Sequence, residues 1–368
     1  MSFEKVCGRL GFGCMRLPMK DGEVDTVEFS RMIDLFIAEG FNYFDTARGY
    51  LDGKSETALA ECLVARYPRE SFVLTNKLSD WCFEKHEDIR PFFESQLAAC
   101  GVEYFDFYLM HAQNKHNYKK YKREGAYEEA FRLKEEGRVR HVGLSFHDTA
   151  EVLEGILNDY PDIELVQIQL NYYDYHDALV QSRACYDVCV RHGKPVVVME
   201  PVKGGTLASL TPAARSVVGE LGGSPASLAI RFAASLEGVF MTLSGMGNMD
   251  MMSENTSFMK DFKPVTEHER EVLFRTAEAM RKDNLIACTG CRYCVSGCPQ
   301  GILIPDLFAC LNDKVKFENW QGGYFYSNIT KDTGKASDCI GCGACEESCP
   351  QRLPIRELLV RVKDTFEK

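Results

Sequence analysis

The sequence predicts an α/β fold: a closed (β/α)8 TIM barrel followed by a small, mainly helical C-terminal domain. Three observations predict it. Eight short apolar runs alternate with amphipathic helical stretches through residues 1–245. The 368 residues leave room for one domain of about 280 residues plus a small one, within the usual range for α/β barrels. Half of the sixteen cysteines then fall in two runs of identical spacing near the C-terminus. The expected division is a barrel domain at 1–282 and a second domain at 283–368.

The candidate strands are Arg9–Gly13, Phe41–Asp45, Phe72–Lys77, Phe105–Met110, Arg140–Ser145, Glu164–Leu170, Pro195–Glu200 and Val239–Ser244. Each is short, apolar and bounded by polar or turn-forming residues, as a strand buried on both faces requires. Between them lie helical patterns at Thr26–Glu39, Ser55–Arg66, His86–Cys100, Gly125–Glu136, Thr149–Asn158, Asp177–Arg191 and Ser224–Leu236. In the first, Phe29, Ile33, Phe36 and Ile37 share one face. The last opens with Ser224 as N-cap and Pro225 at the first helical position. Strands that each lead into a crossover helix fit a closed parallel barrel better than an open sheet.

Two further helices are expected at Met249–Lys260 and Val265–Arg281, then an amphipathic segment at Ile304–Asn312. The polar, Gly-rich stretch Gln321–Lys335 reads as a loop, and Pro354–Phe366 as a closing helix. The net charge of −11 argues against nucleic acid and anionic membrane surfaces as partners. No apolar stretch approaches the ~18 residues of a membrane span, and the first residues do not read as a signal peptide. So many cysteines suit a reducing compartment, and a cytoplasmic location is expected.

The cysteine runs are Cys288-x2-Cys291-x2-Cys294-x3-Cys298-Pro299 and Cys339-x2-Cys342-x2-Cys345-x3-Cys349-Pro350. Three cysteines two residues apart can wrap one face of a cubane; the fourth, before proline, is thrown outward to a neighbouring cube. This is the spacing of two-cluster bacterial ferredoxins, in which the last Cys of each run ligates the other cluster. One [4Fe–4S] cluster is expected on Cys288, Cys291, Cys294 and Cys349. A second is expected on Cys339, Cys342, Cys345 and Cys298. Zinc sites usually pair cysteines across a longer gap, and disulfides need an oxidising compartment. The duplicated Cys-Pro ending suits neither.

Barrel active sites gather at the C-terminal ends of the strands. Those ends offer Asp45 with Tyr50 in the following loop, Lys77, and His111. A phenol has a reference pKa of ~10, so a neighbouring cation such as Lys77 helps it give up a proton. Asp45 would hold Lys77, and His111 can orient a carbonyl oxygen against Tyr50. A buried Asp–Lys pair or a packed Tyr is often merely structural; four such groups on successive strand ends make that account weaker.

On these residues the chain resembles the aldo/keto reductase family. The resemblance rests on Gly40-Phe-Asn-Tyr-Phe-Asp-Thr-Ala47 with Tyr50, on Gly53-Lys-Ser-Glu56, and on Thr75-Asn-Lys77. Tyr108-Leu-Met-His111 and Val142-Gly-Leu-Ser145 complete it, and it covers roughly residues 1–260. More narrowly, the chain is similar to a subgroup with a fused C-terminal two-cluster ferredoxin-like module. The resemblance implies a catalytic tetrad of Asp45, Tyr50, Lys77 and His111, with hydride passing between nicotinamide and a carbonyl carbon.

It also implies nicotinamide contacts. Ser145 and Gln167 match positions that hold the carboxamide, although Phe146 stands where an Asn usually helps. Met199 stands where a Tyr normally stacks on the ring, and Met15 lies near it. Pro201, Lys203, Gly204 and Gly205 match the loop passing the pyrophosphate, and Glu254 and Asn255 match adenine contacts. Gly245 and Met251 replace the basic residues that clamp a 2′-phosphate. The cofactor is therefore NAD(H) or NADP(H), with the lost charge leaning toward NAD(H). A flavin has no motif to support it.

Nicotinamide moves two electrons together, whereas each cluster moves one. Three readings stay open: substrate chemistry wired through the clusters, an ordinary carbonyl reductase with structural or docking clusters, or a non-catalytic electron-transfer subunit. The expected partners are a small carbonyl or alcohol substrate and a redox protein such as a ferredoxin or flavodoxin.

Overall fold

Eight parallel strands close into a barrel in the computed structural model, which describes residues 3–178, 180–283, 285–317 and 321–367. Leu179, within the expected stretch Asp177–Arg191, lies outside the described residues, as do residues 1–2, 284, 318–320 and 368 of the two expected domains. The barrel strands are β1 (Leu10–Gly13), β2 (Tyr43–Asp45), β3 (Val73–Leu78), β4 (Phe105–Gln113), β5 (Val139–Phe146), β6 (Leu165–Gln169), β7 (Val196–Met199) and β8 (Val239–Ser244). Each pairs with its neighbours in sequence, and β8 returns to β1. The register sets Gly13, Asp45 and Thr75 abreast, and likewise Ser145, Gln167 and Val197.

The barrel interior is a packed core of Tyr43, Val73, Phe107, Leu109, Leu165, Val197, Met241 and Leu243. Phe3 packs edge-on against Phe107 and His141 beneath it. The mouth at the other end is left to polar side chains. Helices His86–Cys100 and Met249–Lys260 match their expected bounds. The stretch expected as one helix at Ser55–Arg66 is an α-helix, Lys54–Leu59, running into a π turn at Ala60–Val64.

The chain divides into two compact units. One comprises Met1–His176, Gln181–Pro201 and Ile230–Val265; the other comprises Asp177–Val180, Val202–Ala229 and Thr266–Lys368. The second unit thus takes in helices Pro212–Val218 and Glu267–Lys282, tied by Thr211 donating to Asp283 at 2.5 Å. Its core is Ile286, Ile302, Leu307, Phe308, Leu311, Tyr326, Ile355, Leu359 and Val362. Helix Ile355–Phe366 closes it, as expected.

One expectation is corrected here. The Gly-rich stretch read as a loop from Gln321 opens with a helix, Gln321–Ile329, packed on helix Ile304–Phe317. Gly322 is what lets them meet: a Cβ there would stand 2.6 Å from the Cys310 carbonyl oxygen. Glycine serves as a contact surface between two helix backbones, not as a turn. Among the described residues, no helix is long and apolar enough to cross a membrane.

Candidate active site and cysteine cavities

At the barrel mouth, Lys77 is fully buried at the end of β3, and its Nζ makes three contacts. It donates to Asp45 Oδ1 at 2.6 Å, to the Thr46 carbonyl at 2.8 Å and to the Tyr50 hydroxyl at 3.3 Å. Tyr50 starts a short 3-10 turn, and the next two residues, Leu51 and Asp52, both take positive φ. Such left-handed residues cost roughly 1–2 kcal/mol each outside glycine, a strain typical of segments that aim a functional side chain. The His111 ring meets the Tyr50 ring edge-on, centroids 6.1 Å apart. The structure therefore brings Asp45, Tyr50, Lys77 and His111 together.

Burial sets the protonation of this cluster. It pushes the Asp45 carboxyl up and the Lys77 ammonium down, and their short contact opposes both shifts. Burial, then the Asp45 charge, raises the Tyr50 phenol well above its usual value, with Arg16 pulling the other way. The expected lowering by Lys77 does not dominate. Burial, Lys77 and His147 together hold His111 well below the usual imidazole range, so it is neutral near pH 7.

Sequence reading missed the residues that support these four. Ser79 shares a 2.6 Å hydrogen bond with His111 Nδ1, which leaves Nε2 as the ring's other polar atom. Ser79 sits two residues beyond Lys77, a polar residue just past a strand end, which was a usable signal. Arg16 and Glu200 form a long ion pair at 3.9 Å. Behind Lys77, Gln96 Nε2 donates to the Asn76 side chain and to the Lys77 carbonyl, fixing the strand end.

The residues matched to nicotinamide are distributed as follows. Ser145 and Gln167 are buried register partners on β5 and β6. Gln167 Oε1 is buried with no hydrogen-bond partner among the described residues, an acceptor that a carboxamide N–H would satisfy. Met15 and Met199 are half-buried, and Pro201 is buried. Asn255 is buried and donates to Ser244 at 3.0 Å, while Glu254 is exposed. Gly205 takes a φ of +97°.

Lys203 and Gly204 are engaged elsewhere, within the C-terminal unit. Lys203 is 1% exposed, and its Nζ donates to Gln351 Oε1 at 2.9 Å. Gly204, at φ +62°, lies so close to the Thr289 carbonyl that any Cβ would collide with it.

The eight run cysteines gather round two cavities. One, of about 310 Å³, is lined by Cys288, Cys291, Cys294 and Cys349. The other, of about 320 Å³, is lined by Cys339, Cys342, Cys345 and Cys298. Each thus holds three cysteines of one run and the last of the other. Ile304 lines both and stands between them. None of the sixteen cysteines is joined in a disulfide. Burial, reinforced by Cys291, Cys288 and Cys349, pushes the Cys294 thiol up to about 12. Burial also raises Cys349, against the Leu353, Gln351 and Arg352 backbone N–H groups and the Lys203 charge.

A single zinc ion needs its sulfurs about 2.3 Å from one point. Among the described residues, no group of three His, Cys, Asp or Glu side chains is already set to hold a metal ion, zinc or iron alike. Four cysteines round one apolar cavity, three from one run and the last from the other, form the ligand set of a cubane.

The backbone of the runs is duplicated too. Gly290 and Gly341 take φ of +69° and +74°, Arg292 and Gly343 take +65° and +84°, and Gly301 and Arg352 take +61° and +50°. These are corresponding positions in the two runs.

A parallel barrel carrying buried Asp, Lys, Tyr and His at its mouth, joined to a unit with two four-cysteine cavities, defines an iron–sulfur oxidoreductase. The family can be stated as well. A model of the aldo/keto reductase family matches residues 9–270, and a 4Fe-4S dicluster domain model matches residues 287–353. The chain belongs to the aldo/keto reductase family and carries a C-terminal 4Fe-4S dicluster domain.

Among curated relatives, an uncharacterized oxidoreductase of Schizosaccharomyces pombe is 26% identical, covering 68% of this chain and 81% of its own. The NADH-specific methylglyoxal reductase of Escherichia coli is 27% identical over 46% of this chain and 54% of its own. The fold matches the aldo-keto reductase of Klebsiella pneumoniae solved with NADPH. The TM-score is 0.60 at 19% identity, over 73% of this chain and 90% of that one.

Proposed function

We propose that the protein interconverts a small carbonyl compound and its alcohol at Tyr50, Lys77, Asp45 and His111, with two [4Fe–4S] clusters as its electron store. The observation that carries this reading is the Lys77 ammonium held between Asp45 Oδ1 and the Tyr50 hydroxyl. Catalysis is assigned to residues 1–282 and electron transfer to residues 283–368. Bound nicotinamide would supply or accept hydride, and the clusters would pass single electrons.

Tyr50 is the proton donor. Its raised pKa keeps it protonated at neutral pH, which suits reduction. As it releases its proton to the carbonyl oxygen, Lys77 stabilises the phenolate left behind, and Asp45 holds Lys77 in place. Neutral His111, braced by Ser79, orients the same oxygen. In the oxidising direction the phenolate takes the proton back.

Ser145 and Gln167 would hold the nicotinamide carboxamide, with Met15 and Met199 beside the ring. Pro201 and Gly205 would line the pyrophosphate path, and Glu254 and Asn255 the adenine end. NAD(H) is the preferred form, since Gly245 and exposed Met251 offer no charge to a 2′-phosphate. Cys288, Cys291, Cys294 and Cys349 would ligate one cluster, and Cys339, Cys342, Cys345 and Cys298 the other. Together the two would hold two electrons, the number one hydride carries, and exchange between hydride and single-electron carriers would require a flavin or a substrate whose radical is stabilised. A ferredoxin or flavodoxin suits exchange with them, and the reducing cytoplasm suits so many free thiols.

Oxygen-protected protein mixed with NADH, NADPH or a reduced ferredoxin tests the reading by cluster absorbance and carbonyl turnover. Tyr50→Phe should lower turnover at least ~100-fold and leave the cluster spectrum unchanged. Turnover that survives the substitution removes Tyr50 as the donor. Clusters that stay oxidised under every donor reduce them to structural elements.

A further inference from the structure

We infer that Lys203 is an electrostatic tuning residue for one of the two clusters, the one on Cys288, Cys291, Cys294 and Cys349. The inference rests on the cluster assignment above and goes beyond it. By family resemblance Lys203 belongs to the pyrophosphate path, yet here it is buried and its Nζ is spent on Gln351 Oε1 at 2.9 Å. Gln351 and Thr289 both line the Cys288/Cys349 cavity. The collision that a Cβ on Gly204 would make with Thr289 shows how tightly the Val202–Gly205 loop is pressed against that cavity's rim. Gln351 follows Cys349 by two positions, so the lysine is tied to the segment that carries the last ligand.

Cluster potentials respond to net charge, hydrogen bonds to sulfur and solvent exposure. Adding an electron makes a cluster more negative, so a buried cation beside it favours the reduced form and raises its potential. Burial matters, because charge effects weaken steeply in water. The second cavity also has a cation, Arg356, in its lining, but that side chain is exposed and paired with Glu346 at 2.8 Å. The Lys203 side should therefore hold the higher-potential cluster.

The test is an anaerobic potentiometric titration of the full-length, iron-loaded protein, followed by electron paramagnetic resonance. The midpoint belonging to this cluster is identified as the one that disappears in Cys349→Ser. Lys203→Gln, which keeps a hydrogen-bond donor, should shift that midpoint down by at least the 59 mV of a tenfold change and leave the other in place. Lys203→Arg should restore it. If Lys203→Gln loads poorly, Gln351→Glu supplies the charge change from the other side and should shift the same midpoint in the same direction.

Unmoved midpoints with weakened nicotinamide binding would return Lys203 to the pyrophosphate path and overturn the inference. Equal shifts at both clusters would overturn it as well. An iron content far below about eight per chain in the unaltered protein is a separate failure, that of the cluster assignment itself.

Discussion

Beside one cysteine cavity a buried lysine donates to Gln351 of its lining; in the other an exposed arginine is paired with Glu346, and Cys342 faces solvent. The two runs behind these cavities share cysteine spacing and share left-handed residues at three corresponding positions. Repeated spacing sets the shape of a ligand cradle, while residues outside the repeat decide how easily its contents accept an electron. Two like cradles can in this way hold clusters of different potential.

The largest test of that pairing exchanges the last ligand. Cys349→Ser should remove about half the iron and leave the cavity of Cys339, Cys342, Cys345 and Cys298 loaded; Cys298→Ser should do the converse. Iron analysis with the resonance spectrum of each variant checks it. A spectrum in which Cys349→Ser strips the cluster of its own run would break the crossed assignment.

Titration of stability separates the cavities from the barrel. Burial holds His147 down to about 4 against an ordinary 6.5. As pH falls below 6.5 the unfolded chain takes up a proton that the fold refuses, so the barrel loses stability down to about 4. Buried Cys294 acts oppositely. Its pKa of about 12 against 9.0 means stability is intact below 9 and is lost as pH rises toward 12. Each group contributes up to about 1.4 kcal/mol per pH unit. Melting of iron-free protein across pH, followed by separate probes in the two units, should show the barrel losing stability between pH 6.5 and 4 and the cavity unit losing it above 9.

The smallest effect concerns the duplicated backbone. Gly290→Ala and Gly341→Ala meet open space, so only their positive φ penalises them. Each should cost about 1–2 kcal/mol by denaturant unfolding. Unequal costs would show that the two loops are less alike than their dihedral angles.

Much of this was legible before the fold was known. The barrel strands are continuous apolar runs, so periodicity located the sheet, and their ends carry the candidate residues Asp45, Lys77 and His111. Spacing alone implied that the two runs exchange their last cysteines. What stayed hidden depended on partners far away in sequence. Gln321–Ile329 looked like a loop because its glycines carry no sign that a second helix needs them small. Lys203 and Gln351 are separated by 148 positions, and no local pattern joins them. The rise in the Tyr50 pKa is likewise a property of enclosure, invisible in a list of neighbours.

The exchange of last cysteines has a mechanical result. If each cubane is bolted to both runs, the stretch from Cys298 to Cys339 becomes a ring fastened at both ends by inorganic rivets. Its interior can then lengthen, shorten or change shape over evolutionary time without loosening either metal centre. The added helices Ile304–Phe317 and Gln321–Ile329 sit inside that ring.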